Sequence, residues 1–291
     1  MRRVTTLALI VVGCAIGAWI VLMALVWRFQ ERLVFQPPFA RAAVSTPDSR
    51  RVTYSAADGA GLAGYLVGDA RTAPLVLLVF HGNADLARWQ VPWGEEVARR
   101  TGAAVMIAEY RGYDGLEGPP TYSATQADAR AALRFLHETY GVNADRLVYF
   151  GHSLGSAVAT ELAAAAPPRV LVLQSPFSSA REMALRFPLP GLRWFWEVVS
   201  RVHFDTVRRV RELNVPVFVA HGDRDIVVPV RMGRAVFDAA QRQGELLIVH
   251  GAGHNDVAES GSEDYWRWLE GALSVVTGAR TGSRPAPSST R

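Results

Sequence analysis

The 291-residue chain contains no lysine: all 31 of its basic residues are arginine, a bias that speaks to genome base composition rather than to chemistry. It has a single cysteine, Cys14, which excludes an internal disulfide framework and any CxxC metal or redox site. Cysteine usage therefore says nothing about the redox compartment. A basic stripe is also missing. The net charge is +4 and the pI near 9.6, but arginines scattered over both ends and most of the helical stretches, without interleaved aromatics, do not build a nucleic-acid face. No nucleic-acid partner is expected. The seven histidines show no ligand spacing, so neither a metal nor a cofactor is expected. Apolar residues are abundant at 49% of the chain, enough for a sizeable core in one large α/β domain or two smaller ones.

The longest apolar run is at the N-terminus. Every residue from Val4 to Trp27 is uncharged, and as a helix this stretch is about 36 Å long, sufficient to cross a hydrocarbon layer of about 30 Å. Trp19 and Trp27 lie towards its far end, where indole rings favour the interface, and Arg28 and Arg32 can snorkel to headgroups. A cleaved signal peptide has a shorter apolar region. Val11-Val12-Gly13-Cys14 resembles a lipobox behind Arg2-Arg3, but the chain stays apolar well past the cysteine. The reading adopted is an uncleaved single-pass anchor over 1–28, with the cleaved and lipidated forms as alternatives. The positive charge of Arg2, Arg3 and the α-amino group slightly exceeds that of Arg28 and Arg32, which leans the following domain towards the extracytoplasmic side.

Residues 29–50, with Pro37, Pro38 and Pro47, read as a linker, and residues 278–291, rich in Gly, Pro, Ser, Thr and Arg, as a disordered tail. Between them, over 51–277, strand-like runs at 51–55, 62–67, 75–80, 104–108, 147–150, 170–173, 215–220 and 246–249 come to alternate with helical stretches at 85–101, 123–140, 153–166, 229–243 and 262–276. The central runs are continuously apolar, as expected of strands buried on both faces. This order predicts a mostly parallel sheet with helices on both faces. Functional groups then belong at the carboxyl ends of its strands.

Three motifs fall there. Gly151-His152-Ser153-Leu154-Gly155 follows an apolar run and opens a helix of small residues, the context of a nucleophile elbow. The turn is so tight that only glycines fit beside the serine. Ser153 is thereby exposed above the sheet, and the Leu154 N–H points at any oxyanion formed there. His81-Gly82-Asn83-Ala84 follows the run at 75–80 and offers a second N–H, that of Asn83. His221-Gly222-Asp223-Arg224-Asp225 and the glycine-rich loop His250-Gly251-Ala252-Gly253-His254 follow the last two runs. They supply two competing carboxylates, Asp223 and Asp225, and a base, His254. A serine hydroxyl is a poor nucleophile until an imidazole takes its proton, and a carboxylate fixes the tautomer that can do so. His81, His152 and His221 are expected to orient loops. His137, His203 and His250 carry no functional signal. Glu109 and Arg111 read as a structural ion pair or a loop support.

With the segments Gln30-Glu31-Arg32-Leu33-Val34-Phe35-Gln36-Pro37, Phe80-His81-Gly82-Asn83-Ala84, Tyr110-Arg111-Gly112-Tyr113, the Ser153 elbow, Ser175-Pro176-Phe177 and Gly253-His254-Asn255, the chain resembles the membrane-anchored α/β-hydrolase-domain serine hydrolases. That group contains single-span esterases, lipases and acyl thioesterases. The resemblance implies an α/β-hydrolase fold and the triad order Ser153, Asp225, His254, with Asp225 preferred because Ile226-Val227-Val228-Pro229 follows it; Asp223 is then a turn residue bonding its own loop. One departure is Asp114-Gly115-Leu116-Glu117-Gly118, in place of a more usual glycine- and serine-containing continuation.

The excursion over 178–212 reads as a small helical cap. Its aromatics Phe187, Trp194, Phe195, Trp196 and Phe204 are either the cap's own core or the lining of an acyl pocket. The function expected is cleavage of small, lipid-like acyl esters or thioesters through an acyl-enzyme. A membrane-tethered binding module without turnover, or a peptidase or acyltransferase on the same triad, stands as the alternative. Oligomeric state is not addressed by these features.

Overall fold

The structure is a computed structural model that describes residues 2–38, 49–187 and 189–278. The predicted tail from 279 onwards and the stretch 39–48 of the predicted linker, including Pro47, lie outside the described residues. An N-terminal helix α1 (Arg2–Val34) leads into an eight-stranded sheet, β1 (Ser49–Ser55), β2 (Gly61–Val67), β3 (Val76–Phe80), β4 (Ala104–Ala108), β5 (Leu147–His152), β6 (Val170–Gln174), β7 (Pro216–Gly222) and β8 (Arg242–Val249). The strand order is β1-β2-β4-β3-β5-β6-β7-β8. The β1/β2 and β2/β4 pairs are antiparallel and the rest parallel, so the sheet is mostly parallel as predicted.

The strand interiors explain their position. β3, β4 and β6 read VLLVF, AVMIA and VLVLQ and are buried along their whole length, because helices cover both faces. On one face lie α3 (Tyr122–Tyr140), α4 (Leu154–Ala165), α7 (Thr206–Glu212) and α8 (Val230–Asp238), whose Leu136, Leu162, Val210 and Val236 share a core with Leu78, Tyr149 and Leu171. On the other lie α2 (Val91–Thr101) and α9 (Val257–Thr277), whose Val97, Tyr265 and Leu269 pack on Leu77, Val105 and Val172. The edge strands differ. β1 alternates between half-buried and exposed positions, and the first half of β8, Arg242-Gln243-Gly244-Glu245, is exposed. That polar half has no strand-like pattern, which is why the expected helix over 229–243 overruns: α8 stops at Asp238. In α9, Ser262 (φ 48°, ψ −133°) separates a short first turn from the long helix expected from 262.

Two expected boundaries shift. Residues 29–34 are not linker, because α1 continues through them to Val34, and Phe35 then buries in the main core at 2% exposure. The cap is smaller than 178–212, because α7 packs on α4 and places Val210 in the sheet's core. What stands off the sheet is α5 (Ala180–Ala184) and α6 (Leu192–Val199) with their connections. These lean on α1: its Met23 packs with Leu192 and Phe195, and Trp19 Nε1 donates to the Pro190 carbonyl at 2.8 Å. Residues 4–34 form a helix whose most apolar 18-residue stretch has a mean hydropathy of 2.8, long and apolar enough to cross a membrane.

Candidate active site

Ser153 sits between β5 and α4 at φ 51°, ψ −114°, a strained conformation for a side-chain-bearing residue. The flanking glycines have a steric reason. A Cβ on Gly151 would lie 2.3 Å from the Gly155 carbonyl oxygen, and one on Gly155 would lie 2.0 Å from the Phe80 carbonyl oxygen. The elbow therefore nests β5, α4 and the end of β3 closer than any larger residue allows. The Ser153 N–H donates to the Gln174 carbonyl at 2.9 Å. Leu154 is the first residue of α4, where a backbone N–H has no carbonyl one turn behind it.

The three strand ends converge. His254 Nε2 is 2.8 Å from Ser153 Oγ, and His254 Nδ1 is 2.6 Å from Asp225 Oδ2. Asp225 Oδ1 accepts the N–H groups of Val227 at 2.8 Å and Val228 at 2.7 Å, and its Oδ2 lies 3.2 Å from His221 Nε2. Burial pushes the Asp225 carboxyl up, but hydrogen bonds from His221 and His254, with the His254 charge and the Val228 N–H, reverse this and hold it well below the usual carboxylate range. Asp225 is thus a fixed anion. With it on Nδ1, His254 presents a lone pair at Nε2 to the serine hydroxyl.

The other sequence candidates separate cleanly. Asp223 points away from His254; it accepts from His250 Nδ1 at 2.9 Å and from the Gly251 N–H at 2.7 Å. It therefore ties the β7 loop to the β8 loop rather than bonding its own. Glu109 and Arg111 do not pair with each other. Glu109 accepts from His81 Nε2 at 2.7 Å and from the Ala87 N–H at 2.9 Å, while Arg111 pairs with Asp128 at 2.6 Å and Asp58 at 2.7 Å. Burial works against charge on His81, but the Glu109 carboxylate outweighs it and raises the imidazole above its ordinary value. With Nδ1 also 2.8 Å from the Gly82 carbonyl, both ring nitrogens meet acceptors. A protonated His81 thus pins the turn that carries Asn83. The departing loop after Tyr113 is held by an Arg88–Asp114 pair at 2.9 Å.

Asn83 itself is placed beside Ser153 and Leu154 on the wall of one cavity. Its side chain joins the anchor to the site: Nδ2 donates to the Val34 carbonyl at 2.7 Å, and Oδ1 accepts from the Gln36 N–H at 2.9 Å and from Tyr113 Oη at 2.8 Å. His152, 5.2 Å from the His254 ring, has its Nε2 3.2 Å from the His254 carbonyl. Burial, and then the nearby His254, push its imidazole down to about 4. Ser175, at φ 48°, also donates to the His254 carbonyl at 3.2 Å. Its support role was not read from the sequence, although Ser175-Pro176-Phe177 ends β6 at the same rim.

The cavity that reaches Ser153 has a volume of about 530 Å³ and a mostly apolar wall, within the range of small-molecule sites. The cap aromatics divide between the two expectations. Phe195 is cap core against α1, Trp194 is exposed, and Phe187, Trp196 and Phe204 line the cavity. Val26, Gln30, Leu33 and Val34 of α1 line it too, a contribution with no signal in a sequence pattern that reads simply as membrane anchor. Among the described residues no group of three or more His, Cys, Asp or Glu side chains converges to hold a metal ion.

Residues 76–201 match the family model described as alpha/beta hydrolase fold. An uncharacterized protein of Mycobacterium tuberculosis is 32% identical over 262 residues, covering 88% of this chain and 90% of that one. Lysophosphatidylserine lipase ABHD12 of Danio rerio is 32% identical over 190 residues, covering 59% of this chain and 48% of that one. Among solved structures, the Pyrococcus furiosus esterase PF2001 superposes with a TM-score of 0.62 at 19% identity, covering 82% of this chain and 96% of that one. The chain belongs to the alpha/beta hydrolase family, and its relatives support hydrolase activity.

Proposed function

We propose that the protein is a serine hydrolase of carboxylic esters or thioesters with lipid-like acyl groups, held at a membrane by α1. The observation that carries the reading is the unbroken chain Ser153–His254–Asp225 at the inner end of an apolar cavity. Ser153 Oγ attacks the acyl carbonyl carbon as its proton passes to His254 Nε2, and Asp225 stabilises the imidazolium. The N–H groups of Leu154 and Asn83 receive the oxyanion; one such donor is worth about 100- to 1,000-fold in turnover. The carbon–oxygen or carbon–sulfur bond breaks, the leaving group takes the proton from His254, and an acyl-Ser153 remains. Water then repeats the sequence: His254 removes one of its protons, the hydroxide adds, and collapse returns that proton to Ser153 as the carboxylic acid leaves and ionises in solvent. The domain is read as extracytoplasmic, on the arginine balance across the anchor.

Fluorophosphonate labelling of the membrane-embedded protein and of Ser153→Ala tests the chemistry: labelling is expected in the first and absent in the second. Equal labelling of both refutes Ser153 as nucleophile; labelling of neither favours a binding module. Substrate class is tested with p-nitrophenyl esters. Each added methylene buried in the pocket is worth about 0.8 kcal/mol, a rise in kcat/KM of up to about fourfold per methylene until the cavity is full. A flat profile, or preference for a peptide amide, refutes the lipid-like acyl reading.

A further inference from the structure

We propose that the cap is itself immersed in the bilayer that holds α1, so that substrate reaches Ser153 from within the membrane along the anchor helix. The inference rests on the anchor reading above. Depth is set by the contacts between cap and helix. Arg201 meets Trp27, donating to its carbonyl at 2.7 Å, whereas Pro190 meets Trp19 and Leu192 meets Met23. Trp19 is eight residues before Trp27, about 12 Å deeper along the helix. A Cβ on Gly191 would lie 2.7 Å from the Trp19 ring, so the cap backbone presses against the helix at that level. Even with the hydrocarbon layer starting at Val4, the first uncharged residue, about 30 Å of helix reaches Met23. Tilt or a later start only carries Met23 deeper. The cap segment touching Trp19 and Met23 is therefore at hydrocarbon depth.

The cap's outer surface suits that place. Phe187, Trp194 and Val198 are 67%, 62% and 60% exposed, with Trp194 and Val198 one helical turn apart as an apolar stripe on α6, whose Leu192 and Phe195 pack against Met23 of α1. The charges beside it are paired or turned away: Glu197 takes Arg181 at 2.7 Å and Arg193 at 3.8 Å, and Arg186 Nη2 donates to the Ile226 carbonyl at 3.1 Å. Two N–H groups of the connection are bonded within the cap, as a hydrocarbon layer favours: Leu189 N–H donates to Phe187 O at 2.8 Å and Leu192 N–H to Leu189 O at 3.1 Å. The cavity leading to Ser153 is walled by Val26 and Leu33 on one side and by Phe187 and Leu189 on the other, so a membrane acyl chain slides between anchor and cap without crossing water.

The test uses the full chain with Cys14→Ser, carrying an environment-sensitive fluorophore at Trp194→Cys or Val198→Cys, in phosphatidylcholine vesicles with and without doxyl-labelled phosphatidylcholine. Glu138→Cys, near the far end of α3, is the control. Immersion requires at least a threefold stronger doxyl quenching at 194 and 198 than at 138, and resistance to aqueous iodide. Iodide access equal to the control overturns the proposal; protection from both quenchers also overturns it, and assigns the stripe to a second copy of the chain. The double variant Trp194→Glu, Val198→Glu supplies the kinetic arm. Turnover of a long-chain ester presented in the vesicles is expected to fall at least tenfold, with hydrolysis of a water-soluble butyrate ester held within twofold. Equal loss on both substrates, or no loss on either, refutes access from the membrane. Quenching needs no turnover and Ser153 labelling needs no membrane substrate, so this proposal and the hydrolase reading fail separately.

Discussion

Replacing Asp225 by Asn is expected to remove almost all turnover while leaving the fold nearly intact. In the structure Asp225 Oδ1 accepts two backbone N–H groups, from Val227 and Val228, at 2.8 and 2.7 Å. An asparagine must place its only oxygen there, since its NH₂ cannot face two donors. The NH₂ then faces His254 Nδ1, where Oδ2 stood at 2.6 Å. The imidazole responds by moving its proton to Nε2, which donates to Ser153 instead of accepting from it. A base in the wrong tautomer costs about 10⁴ in kcat, or about 5.5 kcal/mol of transition-state stabilisation. The assay is steady-state hydrolysis of a p-nitrophenyl ester, with thermal unfolding alongside. Tm is expected to fall by only a few degrees, because the shape and three of the four contacts survive. Asp223→Asn is the control, removing only an exposed tie to His250 and Gly251, and its kcat is expected within about threefold of the parent. If Asp225→Asn keeps more than a tenth of the parent activity, or if Asp223→Asn is the crippled variant, the assignment of the carboxylate is wrong.

Gly155→Ala is expected to cost at least about 3 kcal/mol, because its Cβ meets the backbone of Phe80 at 2.0 Å; Gly271→Ala, in α9 with open space around it, is expected to gain up to about 1 kcal/mol. Chemical denaturation of both variants checks the contrast, and equal effects refute the steric account of the elbow. His152, pushed down to about 4, is neutral in the folded protein while its unfolded counterpart titrates near 6.5. The unfolded state then binds more protons between those values, so this residue costs stability progressively as pH falls from about 7 to 4, by about 3 kcal/mol in all. His152→Gln removes that dependence, and an unchanged slope of unfolding free energy against pH over this window refutes the burial of a neutral ring. Asn83→Ala deletes the hydrogen bonds to Val34, Gln36 and Tyr113 but keeps the main-chain N–H. It is expected to expose 34–38 to protease with less than a tenfold loss of kcat, whereas a loss of about 1,000-fold places the side chain itself in the reaction.

What was legible in the sequence was local or repeated. Gly151 and Gly155 announce the elbow because a Cβ on either would come within 2.0–2.3 Å of a neighbouring carbonyl oxygen, and β3, β4 and β6 announce themselves because burial on both faces demands unbroken apolar runs. The polar start of β8 was silent, since an edge strand facing water needs no such pattern. The choice between Asp223 and Asp225 was open to residue chemistry alone, for both are acidic residues in one turn. In the structure the two differ by position: Asp225, oriented by the Val227 and Val228 N–H groups, faces His254, while Asp223 faces His250 and Gly251. The pairing of Glu109 with His81 rather than Arg111 was likewise invisible: a continuing strand would place these two residues, i and i+2, on one face, but β4 ends at Ala108 and the turn that follows sends Glu109 to His81 and Arg111 to Asp128 of α3.

The anchor shows how a one-dimensional pattern conceals a second role. The apolar pattern from Val4 to Trp27 would be met by almost any mixture of Leu, Val and Ile, so nothing in it marks Val26 as a cavity residue, and Leu33 beyond it carries no signal either. Gln30, just past that run, fastens the helix in place. It is a polar residue only 3% exposed, and such a group stays buried only when bonded. Its Oε1 accepts the Arg201 N–H at 2.7 Å and its Nε2 donates to the Trp27 carbonyl at 3.0 Å, which fixes α1 against the base of the cap. With Asn83 holding Val34 and Gln36 a turn and a half further on, the helix is fastened on both sides of the cavity. A domain cut free at Val34 would lose one wall of its own pocket, so in the proposed reading membrane attachment and the shape of the acyl site are properties of the same helix.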